Sequence, residues 1–168
     1  MKARKIMVVS DSHGVTENVI KAIEKEKDID LFIHLGDVIR DTQTIKSHLN
    51  CPSYFVAGNC DHDPELPKAC KVFIGERTAY ICHGNRFFVG DGTEFLESVA
   101  RDNDCDVVMY GHTHIPDIRE EGSFGAIVIN PGSISQPRTS DRYKTYVIIN
   151  VMDDGEWDIQ LKKLADQI

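Results

Sequence analysis

Five times along this sequence a short apolar run stops at residues whose side chains can bind a metal. The endings are Asp11-Ser12-His13-Gly14, Gly36-Asp37, Gly58-Asn59, His83-Gly84-Asn85 and Gly111-His112-Thr113-His114. Taken singly, each has an ordinary structural explanation. Asp-Ser-His-Gly suits a turn or a helix cap as well as a ligand pair, Gly-Asp reads as a loop, and Gly-Asn reads as a left-handed turn. His112 and His114 say more, because two-residue spacing in extended chain puts both rings on one side. Independent turns seldom carry this much ligand chemistry together. Asp11, His13, Asp37, Asn59, His83, His112 and His114 offer two carboxylates, four imidazoles and one amide. Such a mixed set suits manganese, iron, nickel or zinc better than calcium, which prefers oxygen. Two divalent cations would outweigh Asp11 and Asp37 by about two positive charges, enough to hold a phosphate and stabilise charge developing on it. A pair about 3.5–4 Å apart, bridged by one carboxylate, also lowers the pKa of a shared water. Asp37, midway in the series, is the natural bridge.

These residues meet only if the elements before them share an edge. Ile6 to Val9 predicts a strand, followed by a helix from Val15, Val19, Ile20 and Ile23 through about Lys27. Leu31 to Leu35 predicts a second strand, Ile45 and Leu49 a weaker helix, and Tyr54 to Ala57 a third strand. Strands alternating with helices at this spacing imply parallel β-α-β units, whose strand ends fall along the ligand-binding edge. The second half is richer in strands. Lys71–Ile74 and Thr78–Cys82 flank a turn at Gly75-Glu76-Arg77, and Val107–Tyr110 and Ala126–Ile129 follow. Tyr146–Val151 and Trp157–Leu161 form a closing hairpin around Asp153-Asp154-Gly155. Asp91-Gly92-Thr93-Glu94 reads as a capping box before a helix with Phe95, Leu96, Val99 and Ala100. Two packed sheets with helices outside are expected.

The 168 residues suit one domain, 1–168, with no repeat or linker to divide them. The apolar core of the N-terminal segment, Ile6-Met7-Val8-Val9, is too short for a signal peptide, and no apolar run is long enough to span a membrane. A cytoplasmic location is expected. The net charge of -8 speaks against a large nucleic-acid footprint, leaving a small phosphorylated substrate met locally by metal. Cys51, Cys60, Cys70, Cys82 and Cys105 form no C-x-x-C pair, so a zinc ribbon or thiol redox motif is not expected.

The combination Asp-x-His, Gly-Asp, Gly-Asn-x-Asp, His-Gly and Gly-His-x-His resembles the calcineurin-like metallophosphoesterases. The short chain, Gly58-Asn59-Cys60-Asp61 and Asn130-Pro131-Gly132-Ser133 are similar to its small, compact phosphodiesterase branch. The resemblance runs from Asp11 to at least Arg138. It implies a four-layer α-β-β-α sandwich and a dinuclear centre, with manganese foremost and nickel, iron or zinc as alternatives. It also implies that Asp11, His13, Asp37 and His114 hold one metal, and Asp37, Asn59, His83 and His112 the other. A hydroxide bridging the two would attack phosphorus in line with the leaving oxygen.

Two positions depart from that pattern. Cys60 stands where most relatives have the histidine that donates a proton or contacts phosphate, and Asn85 follows His83-Gly84 where histidine is frequent. Protonation of poor leaving groups is the step these changes touch. Cys60 and His62 are the candidate acids, although His62 between Asp61 and Asp63 also reads as a solvated loop residue. Asn59 and Arg138 are candidate substrate contacts, since guanidinium pairs well with phosphate, and a surface salt bridge is the other reading of Arg138. His34, inside the second strand, reads as a buried residue supporting a ligand, and His48 as exposed. Asn130 and Ser133 are expected to shape a loop near the metals. A phosphomonoesterase is the neighbouring alternative. The other is a protein-binding scaffold resembling the retromer sorting subunit, in which part of the ligand set is lost. The family also suggests a homo-oligomer.

Overall fold

The computed structural model describes residues 4–40 and 42–165, so the first three residues of the N-terminal segment weighed above as a leader lie outside it. Among the described residues the first half runs β1 (Lys5–Val9), α1 (Thr16–Glu26), β2 (Leu31–His34), α2 (Thr42–Lys46) and β3 (Ser53–Phe55). The second half runs β4 (Ala69–Ile74), β5 (Arg77–Cys82), α3 (Glu94–Asp102), β6 (Val107–Met109), β7 (Asp117–Arg119) and β8 (Ile127–Asn130). The chain closes with β9 (Thr145–Val151) and β10 (Trp157–Lys163). One five-stranded sheet has the order β10-β9-β1-β2-β3 and the other β4-β5-β6-β8-β7. β1, β2 and β3 are parallel, as are β5, β6 and β8. β9, β10, β4 and β7 pair antiparallel.

Two-residue periodicity in the strands builds the layers. Ile6 and Val8 point between the sheets with Ile33, Ile81, Val107, Met109 and Ile149. Met7 and Val9, one residue out of phase, turn to the outer face, where they pack with Val19, Ala22 and Ile23 of α1 and Ile45 of α2. Val108 likewise leaves the central core to meet Leu96 and Ala100 of α3. Both faces of each central strand are therefore buried, as parallel strands require. The result is the four-layer α-β-β-α sandwich of two mixed sheets.

The differences from expectation have local causes. Val15 is exposed and lies just before α1, so the buried stripe is carried by Asn18, Val19, Ala22 and Ile23. α2 ends at Lys46, before Leu49. Arg77 belongs to β5, opposite Ile74, leaving Gly75-Glu76 as a two-residue turn. The capping box does not form. Asp91 closes a short 3-10 helix (Val89–Asp91), and α3 begins only at Glu94. Thr93 instead donates its hydroxyl to the buried Glu97 carboxylate at 2.8 Å. β7 escaped the sequence reading because Asp117-Ile118-Arg119 is short, half-exposed and charged, as befits a sheet edge.

The inter-sheet core fixes how the two sheets bring their ends together. Ile33→Ala, at a fully buried site, is expected to cost about 3–4 kcal/mol and Ile33→Val about 1 kcal/mol. Urea denaturation of both variants measures this, and equal small losses would mean that the core collapses around the gap.

Candidate metal centre

Every candidate ligand sits just beyond the C-terminal end of a parallel strand. Asp11 and His13 follow β1, Asp37 follows β2, Asn59 follows β3, His83 follows β5, and His112 and His114 follow β6. Antiparallel strands run the other way, and none supplies a ligand candidate.

The chain turns abruptly at these points. Asp11, His13, Asp37, His112 and His114 all have positive φ, between 47° and 71°. Left-handed backbone at non-glycine residues is sparsely populated and persists where surrounding contacts over-determine it. Here cross-connections between loops hold it: Asp11 N–H donates to Gly36 O at 3.0 Å, His13 N–H to Asp37 O at 2.9 Å, and His112 N–H to the Asp11 carboxylate at 3.0 Å. Close approach also explains two of the motif glycines. A Cβ on Gly58 would strike the Asp37 carboxylate, and one on Gly111 would strike the Ser10 hydroxyl.

The convergent side chains crowd within a few ångströms. His114 Nε2 lies 3.2 Å from Asp11 Oδ1, and His13 Nε2 lies 3.6 Å from both Asp11 Oδ1 and Asp37 Oδ2. His83 Nε2 is 3.3 Å from Asp37 Oδ2 and 3.7 Å from Asp11 Oδ1. Asp11 Oδ1 and His83 Nε2 are buried and have no hydrogen-bond partner. Asn59 Oδ1 and His112 Nδ1 face each other at 3.2 Å, with the His112 ring 5.2 Å from that of His83. Buried polar atoms are rarely left unpaired. Oxygen and nitrogen donors pointed at one another, two of them unsatisfied, fit divalent cations. Among the described residues three sets have the required proximity: Asp11–His13–His114, Asp11–Asp37–His83 and His13–Asp37–Cys60.

The electrostatics run the same way. Burial pushes the Asp11 carboxyl up, but His114 and His13, the charge of His83 and the Ser10 hydroxyl outweigh it and hold Asp11 far below the ordinary range. Burial likewise raises Asp37, but His83 and the Cys60 N–H together bring it below its ordinary value. His83 is lowered by burial, yet Asp37 and Asp11 raise it overall. Burial and the charge of His83 lower His112. The ionised carboxylates are ready to bind a cation.

A surrounding shell of hydrogen bonds orients the ligands. His83 Nδ1 contacts Leu35 O at 2.7 Å and His114 Nδ1 contacts Gln136 O at 2.6 Å, leaving both Nε2 atoms facing the centre. Asp61 accepts the N–H groups of Asp37, Ile39 and Gly58, each at 2.8 Å, so one carboxylate ties two ligand loops together. Sequence reasoning quoted Asp61 in its motif and gave it no role; its place in Gly-Asn-x-Asp was the available signal. His34 is fully buried in β2. It accepts the Gly36 N–H on Nδ1 at 3.1 Å, which fixes the neutral tautomer that donates from Nε2 to Ser12 Oγ at 2.9 Å. Ser133 donates its hydroxyl to Asp11 O at 2.7 Å, and Asn130 donates to Gly111 O and Thr113 Oγ1.

The remaining candidates lie around this group. Cys60 is half-buried beside Asp37, where burial and then the Asp37 charge raise its thiol pKa, so it keeps its proton at neutral pH. His62 is exposed on the same loop and lines a cavity beside Asn59 and His83. Arg138 donates its backbone N–H to His114 O, its side chain is exposed, and its charge reaches His112. His48 is exposed, on the turn after α2 and away from the centre.

Comparison with known proteins shows the family and the fold. Residues 5–154 match the calcineurin-like phosphoesterase superfamily domain. Probable metallophosphoesterase YsnB of Bacillus subtilis is 31% identical over 151 residues, covering 89% of this chain and 86% of its own length. Phosphodiesterase YfcE of Escherichia coli is 28% identical over 159 residues, covering 80% and 81%. The crystal structure of a conserved protein of Streptococcus pneumoniae TIGR4, named as a predicted phosphoesterase, superposes with a TM-score of 0.81 at 27% identity. The superposition covers 97% of this chain and 91% of that one. Vacuolar protein sorting 29 of Cryptosporidium parvum shares the fold, with a TM-score of 0.70 at 19% identity over 99% and 100% of the two chains.

Two outcomes are expected from the supporting shell. Asp61→Ala removes the acceptor common to both ligand loops and should weaken manganese binding by about 10–100-fold, read by isothermal titration. Unchanged affinity would mean the loops hold themselves. His34 carries the second. Burial lowers its pKa to about 4, whereas the unfolded residue protonates near its ordinary value of 6.5. The unfolded state therefore takes up a proton first as pH falls. Metal-free stability should drop between those values by about 1.4 kcal/mol per pH unit for this one proton. His34→Gln should flatten that part of the profile in denaturation curves across the window.

Proposed function

The chain belongs to the calcineurin-like phosphoesterase superfamily, and from that premise we propose that it is a two-metal phosphodiesterase acting on a small phosphorylated substrate. One observation carries the reading. Two buried atoms without partners, Asp11 Oδ1 and His83 Nε2, stand 3.7 Å apart where strand ends of both sheets meet. Asp11, His13, Asp37 and His114 would hold the first cation, and Asp37, Asn59, His83 and His112 the second. Asp37 is the shared ligand, since its Oδ2 lies near both His13 and His83. Manganese is the proposed metal, with nickel, iron and zinc compatible with the same donors. Bound there, the cations would lower the pKa of a water between them, yielding hydroxide to attack phosphorus, and would meet the charge gathering on the phosphoryl oxygens.

The protein's own residues do the rest. Asp61, Leu35 and Gln136 keep the ligand atoms aimed inward. Arg138, exposed and felt by His112 as a positive charge, would pair with a phosphate oxygen, as would the Asn59 amide from the opposite loop. Cys60, which retains its proton, and His62 are the groups near enough to assist the leaving oxygen. A thiol is a poor acid for an alkoxide, so leaving groups that depart unaided should react best. The scaffold reading has no observation of its own: likeness to vacuolar protein sorting 29 at 19% identity concerns the fold, and here all seven ligand positions keep competent side chains.

Bis(p-nitrophenyl) phosphate with the manganese-loaded protein tests this. Turnover is expected to need a divalent cation, to exceed that of p-nitrophenyl phosphate, to fall steeply on alkyl diesters, and to drop more than about a hundredfold in Asp37→Asn. Faster turnover of the monoester would make it a monoesterase. Bound metal without hydrolysis of either ester would leave a scaffold.

A further inference from the structure

A cavity of about 360 Å³ opens beside the metal centre, on the side of the second proposed cation. Asn59 and His83, two of the candidate ligands, line it together with Lys68, Asn85 and Arg86. Its size falls in the range of small-ligand sites. We propose that this cavity receives one ester arm of the substrate and selects an arm that carries its own negative charge, a phosphomonoester foremost. The inference rests on the phosphodiesterase reading above and names its substrate class.

Uncommitted charge is the basis. Two carboxylates also line the cavity, Asp61 and Asp63, and both are turned at least in part to backbone donors. Asp61 takes backbone N–H groups on both oxygens, and Asp63 Oδ1 takes the Glu65 N–H at 2.9 Å. The cations are free. Lys68 and Arg86 are exposed, and among the described residues neither side chain has an ion pair or a hydrogen bond. In a chain of net charge -8, Lys68 and Arg86 balance the two carboxylates of the lining and leave two cationic side chains without an intramolecular partner among the described residues to meet an anion.

Both cations also rise from fixed backbone. Arg86 lies in a short 3-10 helix (Asn85–Phe87) reached from His83 through Gly84, at φ 107°. Phe87 anchors that turn, donating its N–H to Gly84 O at 2.9 Å and packing its ring 6.2 Å from Tyr80 and 5.9 Å from Phe95. Lys68 immediately precedes β4, and its neighbour Pro67 accepts the Ala57 N–H at 2.8 Å, tying it to the loop that bears Asn59. An anion held between them would sit next to, and apart from, the phosphate over the metals. Asn85, with its neutral amide, adds a hydrogen bond to such a group without competing for metal.

Three p-nitrophenyl diesters with the same leaving group test the inference on the manganese-loaded protein. Their other arm is p-nitrophenyl, phosphocholine's cationic choline, or an alkyl chain ending in a phosphomonoester. The phosphomonoester arm should exceed the choline arm about tenfold in kcat/KM, mainly through KM, and the double variant Lys68→Ala/Arg86→Ala should bring that ratio to within about twofold. Because the ratio is taken within one preparation, partial unfolding of the variant cancels. A wild-type ratio near one, or a ratio unmoved by the double variant, overturns the inference while the phosphodiesterase reading stands. No p-nitrophenol from any of the three overturns that reading and the inference with it.

Discussion

Asp11 is a fully buried carboxylate with one oxygen satisfied and one bare. Oδ2 receives the Ser10 hydroxyl and the His112 N–H, while Oδ1 meets only the Nε2 atoms of His114, His13 and His83 at 3.2–3.7 Å. A buried ionised group without a partner is among the most expensive arrangements a protein can hold. Neutral imidazoles whose ε nitrogens lack hydrogens would repel it. Protons shared among these rings, or cations in their place, resolve the conflict, and the raised pKa of His83 is the same demand seen from the base. The fold is built around a position that wants positive charge.

Holding that position is a problem of geometry more than of local preference. Parallel strands deliver β1, β2, β3, β5 and β6 to one edge from both sheets, and the inter-sheet core of Ile6, Val8, Ile33, Ile81, Val107 and Met109 locks the two edges together. At that edge five of the candidate ligands take left-handed backbone, each at a cost of order 1 kcal/mol or more. Loop-to-loop hydrogen bonds offset it: each strained residue is pinned by a neighbour from another strand, and Asp61 pins three groups at once. Rigidity comes from mutual support between loops that are far apart in sequence.

That explains which features could be read beforehand. Strands with both faces buried are continuous apolar runs, so Ile6–Val9, Leu31–Leu35 and Val107–Tyr110 announce themselves, and their abrupt polar endings mark the edge. The seven candidate ligands stand out because their types are costly and repeated. β7 gave no such signal, being an edge strand of Asp, Ile and Arg that is held by pairing with β8 and by the Asp117–Tyr110 hydrogen bond. The capping box failed for a related reason. Thr93 and Glu97 spend their polar atoms on each other and on the Arg119 and Ser123 groups brought in from the β7 side, a tertiary competition that local spacing does not reveal. The tautomer of His34 was equally hidden, since it is set by the Gly36 N–H and the Ser12 hydroxyl that the fold brings to its two nitrogens.

Cys60 and Asn85 sit one and two positions past candidate ligands, where the ladder of support rests on backbone groups and not on side-chain type. At position 60 it is the backbone N–H that donates to Asp37 Oδ1, at 2.9 Å. Cysteine there preserves the bond that steadies the proposed bridging carboxylate while changing what the side chain offers to a leaving group. At position 85 the chain has already left β5 and turned through Gly84 into the short 3-10 helix, so asparagine can replace histidine without moving His83, whose ring is fixed by Leu35 O. The candidate ligand positions and their backbone supports are thus separated from the side chains proposed to meet the substrate's arms.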